Sequence, residues 1–178
     1  MRDATKINEY FSGDKALFLI PLYQRKYAWQ RKHCERLFSD LMKVSKENRK
    51  SHFFGSIVAI KANDVDDDLL IIDGQQRITT ISLIILAAVQ AYRDNIIESE
   101  QGDEYVNDMV NKYLMAKYRK GDRKIKLRPI ESDRLAYDAI IAGESEKFIP
   151  ADKSGITHNY LLFYELIKIG GLSFDEII

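Results

Sequence analysis

Several features that assign a protein to a function class at first sight are rare in this sequence or missing from it. The chain has one cysteine, Cys34, among 178 residues, which excludes a disulfide framework and suits a reducing compartment. It contains no glycine-lysine loop of the Walker A type, so it is not a P-loop enzyme. Its histidines at positions 33, 52 and 158 are isolated, without a metal-binding cluster around them.

Net charge and long apolar runs are also lacking. The formal net charge is +0 and the pI is about 6.8, so any contact with nucleic acid must come from a local patch. The N-terminal segment MRDATKINEYF lacks the apolar core of a signal peptide, and the longest apolar stretch, Ile81–Val89, is far too short to span a membrane. With 46% hydrophobic and 30% charged residues, we expect a soluble, cytoplasmic globular domain that contacts no membrane.

Hydrophobic periodicity predicts an α+β fold with a small sheet and a helical C-terminal half. The segment Gln75–Arg93 is apolar on most sides, which predicts a buried central helix. Two strands, Phe53–Lys61 and Leu69–Asp73, are predicted to pair as antiparallel neighbours. The other predicted elements are a helix over Thr5–Phe11, a strand over Ala16–Ile20, helices over Gln30–Asn48 and Asp103–Tyr118, a strand over Lys124–Arg128, and helices over Ser132–Ala142 and Thr157–Ile169.

The segment LLIIDGQQRITTIS places a strand that ends in Asp-Gly directly before the predicted central helix. Free backbone N–H groups at a helix N-terminus, together with the helix dipole, favour anions and phosphates in particular. Gly74 lets a ligand approach the backbone closely, and Arg77 can hold an oxyanion with two parallel hydrogen bonds. Gln75 and Gln76 can donate to phosphate oxygens or orient a water, and Asp73 can hold Mg²⁺ directly or through water.

A second interpretation of the same segment is purely structural. Asp73 would cap the helix and pair locally with Arg77, because caps are common and phosphate sites are few. The spacing of the residues leaves both interpretations open.

A further polar cluster, PLYQRKYAW, interleaves aromatic and cationic residues. This pattern suits stacking on a base and binding a phosphate. Gln24 and Arg25 follow a strand end directly, which favours a functional role for them. For Trp29 we favour an anchor in the core just before a helix.

Three lesser features have structural alternatives. The basic stretch near residue 120, which includes one acid, Asp122, is a candidate for contact with DNA phosphates, and a solvated turn is its alternative. The acidic loop before Leu69 lacks the glycine and distal glutamate of a calcium loop, so we predict a solvated hairpin tip. His52 is predicted to start a strand. The basic residues are Lys117, Arg119, Lys120, Arg123, Lys124, Lys126 and Arg128, and the acidic ones are Asp64, Asp66, Asp67 and Asp68.

The order of these motifs resembles one known family. The segments IPLYQRKYAW, LFSDLM, HFFGSIV, IIDGQQRITT and ITHNYLLFYELI follow one another as in the N-terminal domain of GmrSD-type, modification-dependent restriction systems. The nucleotide-hydrolysing sensor SspE of phosphorothioate-based phage defence carries a similar domain. The resemblance implies a ParB/sulfiredoxin-like DGQQR domain over residues 1–130, with a small mixed sheet, and a helical extension over residues 131–178. Because Ser173, Asp175 and Glu176 look like a helix start, we expect the chain to continue in a longer protein.

The resemblance also implies a function. It implies a regulatory domain that binds and hydrolyses a nucleoside triphosphate with Mg²⁺ and so controls a DNA endonuclease. Implied partners are modified, foreign DNA and a nuclease domain in the same longer chain or in a partner subunit, and a homo-oligomer is compatible with it. Catalytic roles fall on Asp73, Gln75, Gln76 and Arg77, with Asp73 also as the magnesium ligand, and nucleotide binding falls on Tyr23, Gln24, Arg25, Gly74, Thr79 and Thr80.

Other activities remain as alternatives or are excluded. A sensor module that binds DNA or nucleotide without hydrolysis stays open, because no obvious general base is present. A ParB-like nuclease is disfavoured, since Asp73 is the one nearby carboxylate and a two-metal site needs more. Sulfiredoxin chemistry needs a cysteine in the phosphate loop, whereas Cys34 lies on the apolar face of a predicted helix and is expected to be a buried thiol.

Overall fold

The computed structural model describes residues 11, 17–47, 55–63, 68–116, 124–144 and 155–178. Within these ranges the chain forms four strands and six helices. The strands are β1 (Phe18–Leu19), β2 (Val58–Lys61), β3 (Leu69–Asp73) and β4 (Leu127–Arg128). The helices are α1 (Arg31–Lys46), α2 (Gln75–Arg93), α3 (Gly102–Tyr113), α4 (Glu131–Ile141), α5 (Ile156–Gly170) and α6 (Phe174–Ile177).

The sheet is small and mixed, with strand order β2-β3-β1-β4. Strand β1 pairs in parallel with both β3 and β4, whereas β2 pairs antiparallel with β3, which confirms the predicted antiparallel neighbours. The strands are shorter than predicted: β1 has two residues because the chain turns at Pro21, and β2 begins only at Val58. The predicted α+β fold is confirmed.

Helix α2 is the centre of the molecule, as predicted. Most of its side chains are buried, including polar ones in its first turns, and Ile78 and Leu83 are completely inaccessible to solvent. It packs most extensively against α5 and also contacts α3 and α6. Each fully buried leucine or isoleucine contributes about 1.5–3 kcal/mol of hydrophobic stabilisation. Because helices surround α2, it is apolar on most sides rather than along one stripe.

The C-terminal helices belong to the same core as α2. Helix α5 contacts α1, where the rings of Phe38 and Phe163 lie 6.1 Å apart, and it also contacts α4. Helix α6 starts with a capping box formed by Ser173 and Glu176, so the predicted helix start is correct. The predicted domain boundary at residue 130 stays a prediction. No helix in the described ranges has the length and apolar character needed to cross a membrane.

Two charged residues are placed differently from their predictions. Lys126, predicted to contact DNA, is 1% exposed, and its ammonium group donates to the backbone oxygens of Phe11, at 2.5 Å, and Lys112. That prediction is wrong, because a buried ammonium group cannot reach a phosphate. Asp68, predicted to lie in a solvated tip, is buried and accepts a 3.2 Å hydrogen bond from the Leu17 backbone, which ties β3 to β1.

Candidate functional site

The two polar motifs of the sequence meet at one cleft. The loop that follows β1 lies against the junction at which β3 runs into α2, and the cleft between them has a volume of about 160 Å³. Its walls are formed by Gln24, Arg25, Trp29, Asp73, Gly74, Gln75, Gln76 and Arg77. Residues separated by about fifty positions in sequence therefore share one surface.

Gly74 shapes the floor of this cleft. It is the N-cap of α2 with φ +88°, a left-handed conformation that L side chains rarely adopt. A Cβ atom at this position would lie 2.9 Å from both Ile57 Cγ1 and the backbone oxygen of Ser56. Glycine is required here both for the backbone conformation and for the close approach of Ser56 and Ile57, the two residues before β2.

The N-terminus of α2 has no side-chain cap. Its first intrahelical hydrogen bond runs from the Ile78 N–H to the Gly74 oxygen at 3.1 Å, so the N–H groups of the preceding turn have no intrahelical acceptor. Asp73 does not cap the helix, and it forms no ion pair with Arg77 in the described part of the chain. The purely structural interpretation of this segment is therefore not what the structure shows, and the helix end is open to an anion.

Two glutamine side chains form hydrogen bonds that hold the loop after β1 against the β3–α2 junction. Gln24 donates through Nε2 to the Ile72 oxygen of β3 at 2.8 Å. In the opposite direction, Gln75 donates through Nε2 to the Arg25 oxygen at 2.9 Å. These reciprocal side chain–backbone bonds fix the loop against the strand–helix junction.

Gln76 forms two hydrogen bonds with the backbone of the loop that follows β1. Its Nε2 donates to the Lys26 oxygen at 3.2 Å, and its Oε1 accepts from the Ala28 N–H at 2.8 Å. One amide thus satisfies a backbone donor and a backbone acceptor, as a neighbouring strand would. Gln76 is 7% exposed, so its main interaction in this structure is with the protein backbone.

Arg77 is held in place from the β2 side of the cleft. Its Nη1 donates to the Ser56 oxygen at 2.9 Å. Its guanidinium group lies against Gly55, where an added Cβ would be 2.5 Å from Nε and 2.7 Å from Cζ. Gly55 was not singled out from the sequence, although the glycine of the HFFGSIV motif was the available signal.

This packing gives a first prediction. Gly55→Ala should displace the Arg77 side chain and weaken about tenfold the binding of the triphosphate nucleotide that the sequence resemblance implies, the effect of weakening one charge-assisted hydrogen bond. Gly143→Ala is the matched control, because Gly143 has φ +75° but no described atom within 4 Å of its added Cβ. Isothermal titration of both variants measures the difference. Wild-type affinity in Gly55→Ala would show that the Arg77 position does not depend on Gly55.

The loop is also held from the C-terminal helices, through residues that sequence reasoning missed. The Tyr27 N–H donates to Asp133 Oδ2 at 2.6 Å, and Asn159 Nδ2 donates to the Trp29 oxygen at 2.8 Å. The buried Tyr27 hydroxyl lies 2.8 Å from Thr80 Oγ1 and accepts from Asn159. Burial raises the pKa of this hydroxyl far above its ordinary value, so Tyr27 remains a neutral anchor.

Several predicted contact residues lie outside the cleft. Thr79 and Thr80 are buried, and Thr80 donates to the Gln76 oxygen at 2.7 Å, so both are part of the helix packing. Tyr23 is 72% exposed and is not among the lining residues, whereas the half-buried Trp29 both lines the cleft and packs against the core. Lys124 is exposed. The residues Lys117, Arg119, Lys120, Arg123, His52, Asp64, Asp66 and Asp67 lie outside the described part of the chain.

The carboxylate ligand that the cleft offers is suited to one magnesium ion that is bound together with phosphate groups. Asp73 is exposed at the end of β3 and is the one carboxylate among the described lining residues. The described ranges contain no group of three His, Cys, Asp or Glu residues that could hold a metal. Magnesium is often bound through one or two carboxylates plus substrate phosphates, and Asp73 meets that requirement. A two-metal nuclease centre finds no support among these residues.

Comparison with known proteins gives one match and one negative result. Residues 7–175 match the family model described as GmrSD restriction endonuclease, N-terminal domain. The matched range includes both cleft motifs and the helix that carries Asn159. No curated protein matches the sequence.

Proposed function

The chain belongs to the family of GmrSD restriction endonuclease N-terminal domains, and we propose that it binds and hydrolyses a nucleoside triphosphate to regulate DNA cleavage. The DNA would be foreign and modified, and the cutting would be done by a nuclease domain in the same longer chain or in a partner subunit. Nucleotide turnover in this domain would then control when the nuclease acts. The cleft is the site of turnover.

One observation carries this proposal: two arginines and an uncapped helix N-terminus converge on a single cleft. Arg25 and Arg77 are lining residues, and α2 begins at the cleft floor. This combination of oriented N–H groups and guanidinium groups is suited to a polyphosphate. A volume of about 160 Å³ accommodates phosphate groups, whereas sites for whole drug-sized ligands measure about 300–1,000 Å³. The base and ribose would therefore extend past Trp29 toward solvent.

In the proposed reaction, four of the lining residues have roles. Arg77 and Arg25 hold the terminal phosphate oxygens, and the N–H groups at the start of α2 donate hydrogen bonds to the remaining phosphate oxygens. Mg²⁺ bound at Asp73 would neutralise charge on the phosphates. Gln75 Oε1, which has no hydrogen bond among the described residues, accepts from the attacking water. The water oxygen bonds to the γ-phosphorus, the bond to the bridging oxygen breaks, and the water proton passes to a γ-phosphate oxygen, which releases inorganic phosphate and a nucleoside diphosphate.

Phosphate release at varied magnesium concentration tests the proposal. Asp73→Asn should lower the rate at least tenfold and raise the magnesium concentration needed for half-maximal turnover, because the variant keeps the shape but loses the charge. Asp108→Asn is the control, since Asp108 is an exposed carboxylate of α3 that does not line the cleft. Magnesium dependence that is identical in the two variants would contradict the role of Asp73.

A second candidate function is a sensor that binds nucleotide or modified DNA without hydrolysis. The observation that favours it is the use of the glutamine side chains: Gln24, Gln75 and Gln76 all bond to backbone groups. The same assay separates the two candidates. Saturable nucleotide binding with no phosphate release would favour the sensor and would contradict hydrolysis.

A further inference from the structure

The segment from Arg25 to Lys46 is strongly basic in a chain that carries no net charge. Lysine and arginine outnumber aspartate and glutamate seven to two in this segment, whereas the whole sequence has +0. The segment begins at the cleft, which Arg25 lines, and continues along α1. The protein therefore has a local positive surface beside the proposed nucleotide site.

Three of the five cations of helix α1 lie on one side of the helix. Its buried residues, Cys34 and Phe38 among them, face the core, and Phe38 packs on α5. At 100° per residue, Lys32, Arg36 and Lys43 fall within an arc of about 40° on the opposite, exposed side. Lys32 and Lys43 are eleven positions apart, which corresponds to about 17 Å along the axis, the length of about five base pairs of duplex DNA.

Lys32 and Arg36 have no acidic partner among the described residues, whereas Lys43 forms an exposed ion pair. The ion pairs of α1 are Arg31 with Glu35 at 2.7 Å and Lys43 with Asp40 at 3.8 Å. The other cations of the segment have no acidic partner among the described residues: Arg25, Lys26, Lys32, Arg36 and Lys46.

The cations in the first turn of α1 oppose the stability of the helix, whereas Lys43 and Lys46 in its last turn favour it. The helix has no acidic residue in its first turn and begins with Arg31 and Lys32. Cations at the positive end of a helix dipole are unfavourable by about 0.3–1 kcal/mol each. Lys32 therefore does not stabilise the helix in which it lies, and its exposed position suits an external polyanion.

We propose that this basic ridge, defined as Lys26, Lys32, Arg36 and Lys43, binds the phosphate backbone of double-stranded DNA. The choice of DNA as the polyanion rests on the proposed function, whereas the location rests on charge and exposure. DNA on the ridge lies next to the cleft, so it can affect nucleotide turnover directly.

Fluorescence anisotropy with a fluorescein-labelled duplex, titrated at several salt concentrations, tests the ridge. The triple variant Lys32→Ala, Arg36→Ala, Lys43→Ala should reduce the slope of log K against log salt by about 2–3, since each lost phosphate contact removes about 0.9. Affinity should fall at least tenfold. The matched control removes three exposed cations elsewhere, Arg93, Arg134 and Lys168, and should keep the wild-type slope.

The outcomes separate the possible partners and the two proposals. Equal slopes in the two triple variants would overturn the ridge. Displacement of the duplex by polyglutamate at equal charge concentration would also overturn it, because the surface would then take an acidic protein. The ridge would be supported and the proposed hydrolysis contradicted if the triple variant had the reduced salt slope while the wild-type protein released no phosphate.

Discussion

Arg77→Ala is expected to lower kcat/KM for nucleotide hydrolysis about a hundredfold. The guanidinium group lies at the cleft and can form two charge-assisted hydrogen bonds to the terminal phosphate, worth together about 3 kcal/mol, which corresponds to that factor. Arg77 is half-buried and bonds to one backbone oxygen, that of Ser56, so its truncation should leave the fold intact. Steady-state phosphate release measures the change.

Two further variants make this test specific. Arg93→Ala removes an arginine from the last turn of the same helix, far from the cleft, and should keep wild-type kinetics. Arg77→Lys keeps the charge but loses the planar fork, so it should give an intermediate rate. Circular dichroism checks that each variant is folded. If Arg77→Ala and Arg93→Ala hydrolyse nucleotide equally fast, the assignment of the cleft is wrong.

Gly74→Ala is expected to cause the largest loss of stability of any single change at the site. The left-handed conformation costs about 1–2 kcal/mol for a residue with a Cβ. The added atom would also lie 2.9 Å from a backbone oxygen and from the half-buried Ile57 side chain, which adds about 1–3 kcal/mol of overpacking. We expect a total reduction of about 3 kcal/mol in the free energy of unfolding.

Gly155→Ala isolates the conformational part of this effect, and the difference between the two variants gives the steric part. Gly155 is the N-cap of α5 with φ +81°, and no described atom lies within 4 Å of its added Cβ. It should lose about 1–2 kcal/mol, from conformation alone. Since 1 kcal/mol shifts Tm by about 2–4 °C in a domain of this size, the two variants should differ by several degrees. If urea unfolding showed equal losses of unfolding free energy in the two variants, Ser56 and Ile57 would have moved to make room for the added methyl group.

Much of the fold was accessible from the sequence. The boundaries of α2 were predicted correctly from apolar residues on most sides of one helical segment, and the antiparallel pair β2–β3 from two strands joined by a short loop. The parallel pairing of β1 with β3 and β4 was not predicted, because nothing in a two-residue strand specifies a distant partner. The burial of Lys126 was missed for a related reason: its acceptors, the oxygens of Phe11 and Lys112, lie elsewhere in the chain.

The sequence by itself determined the local features of this protein: the strand–helix junction at Gly74, the central helix and the alternation of aromatic and basic residues before α1. These depend on neighbours along the chain, whose spacing fixes periodicity and backbone conformation. Only the tertiary structure decided that the glutamines fasten the loop, that Gly55 supports Arg77, and that Asn159 anchors the loop from α5. Hydrogen-bond partners are chosen by proximity in space, and spacing along a chain does not encode that proximity.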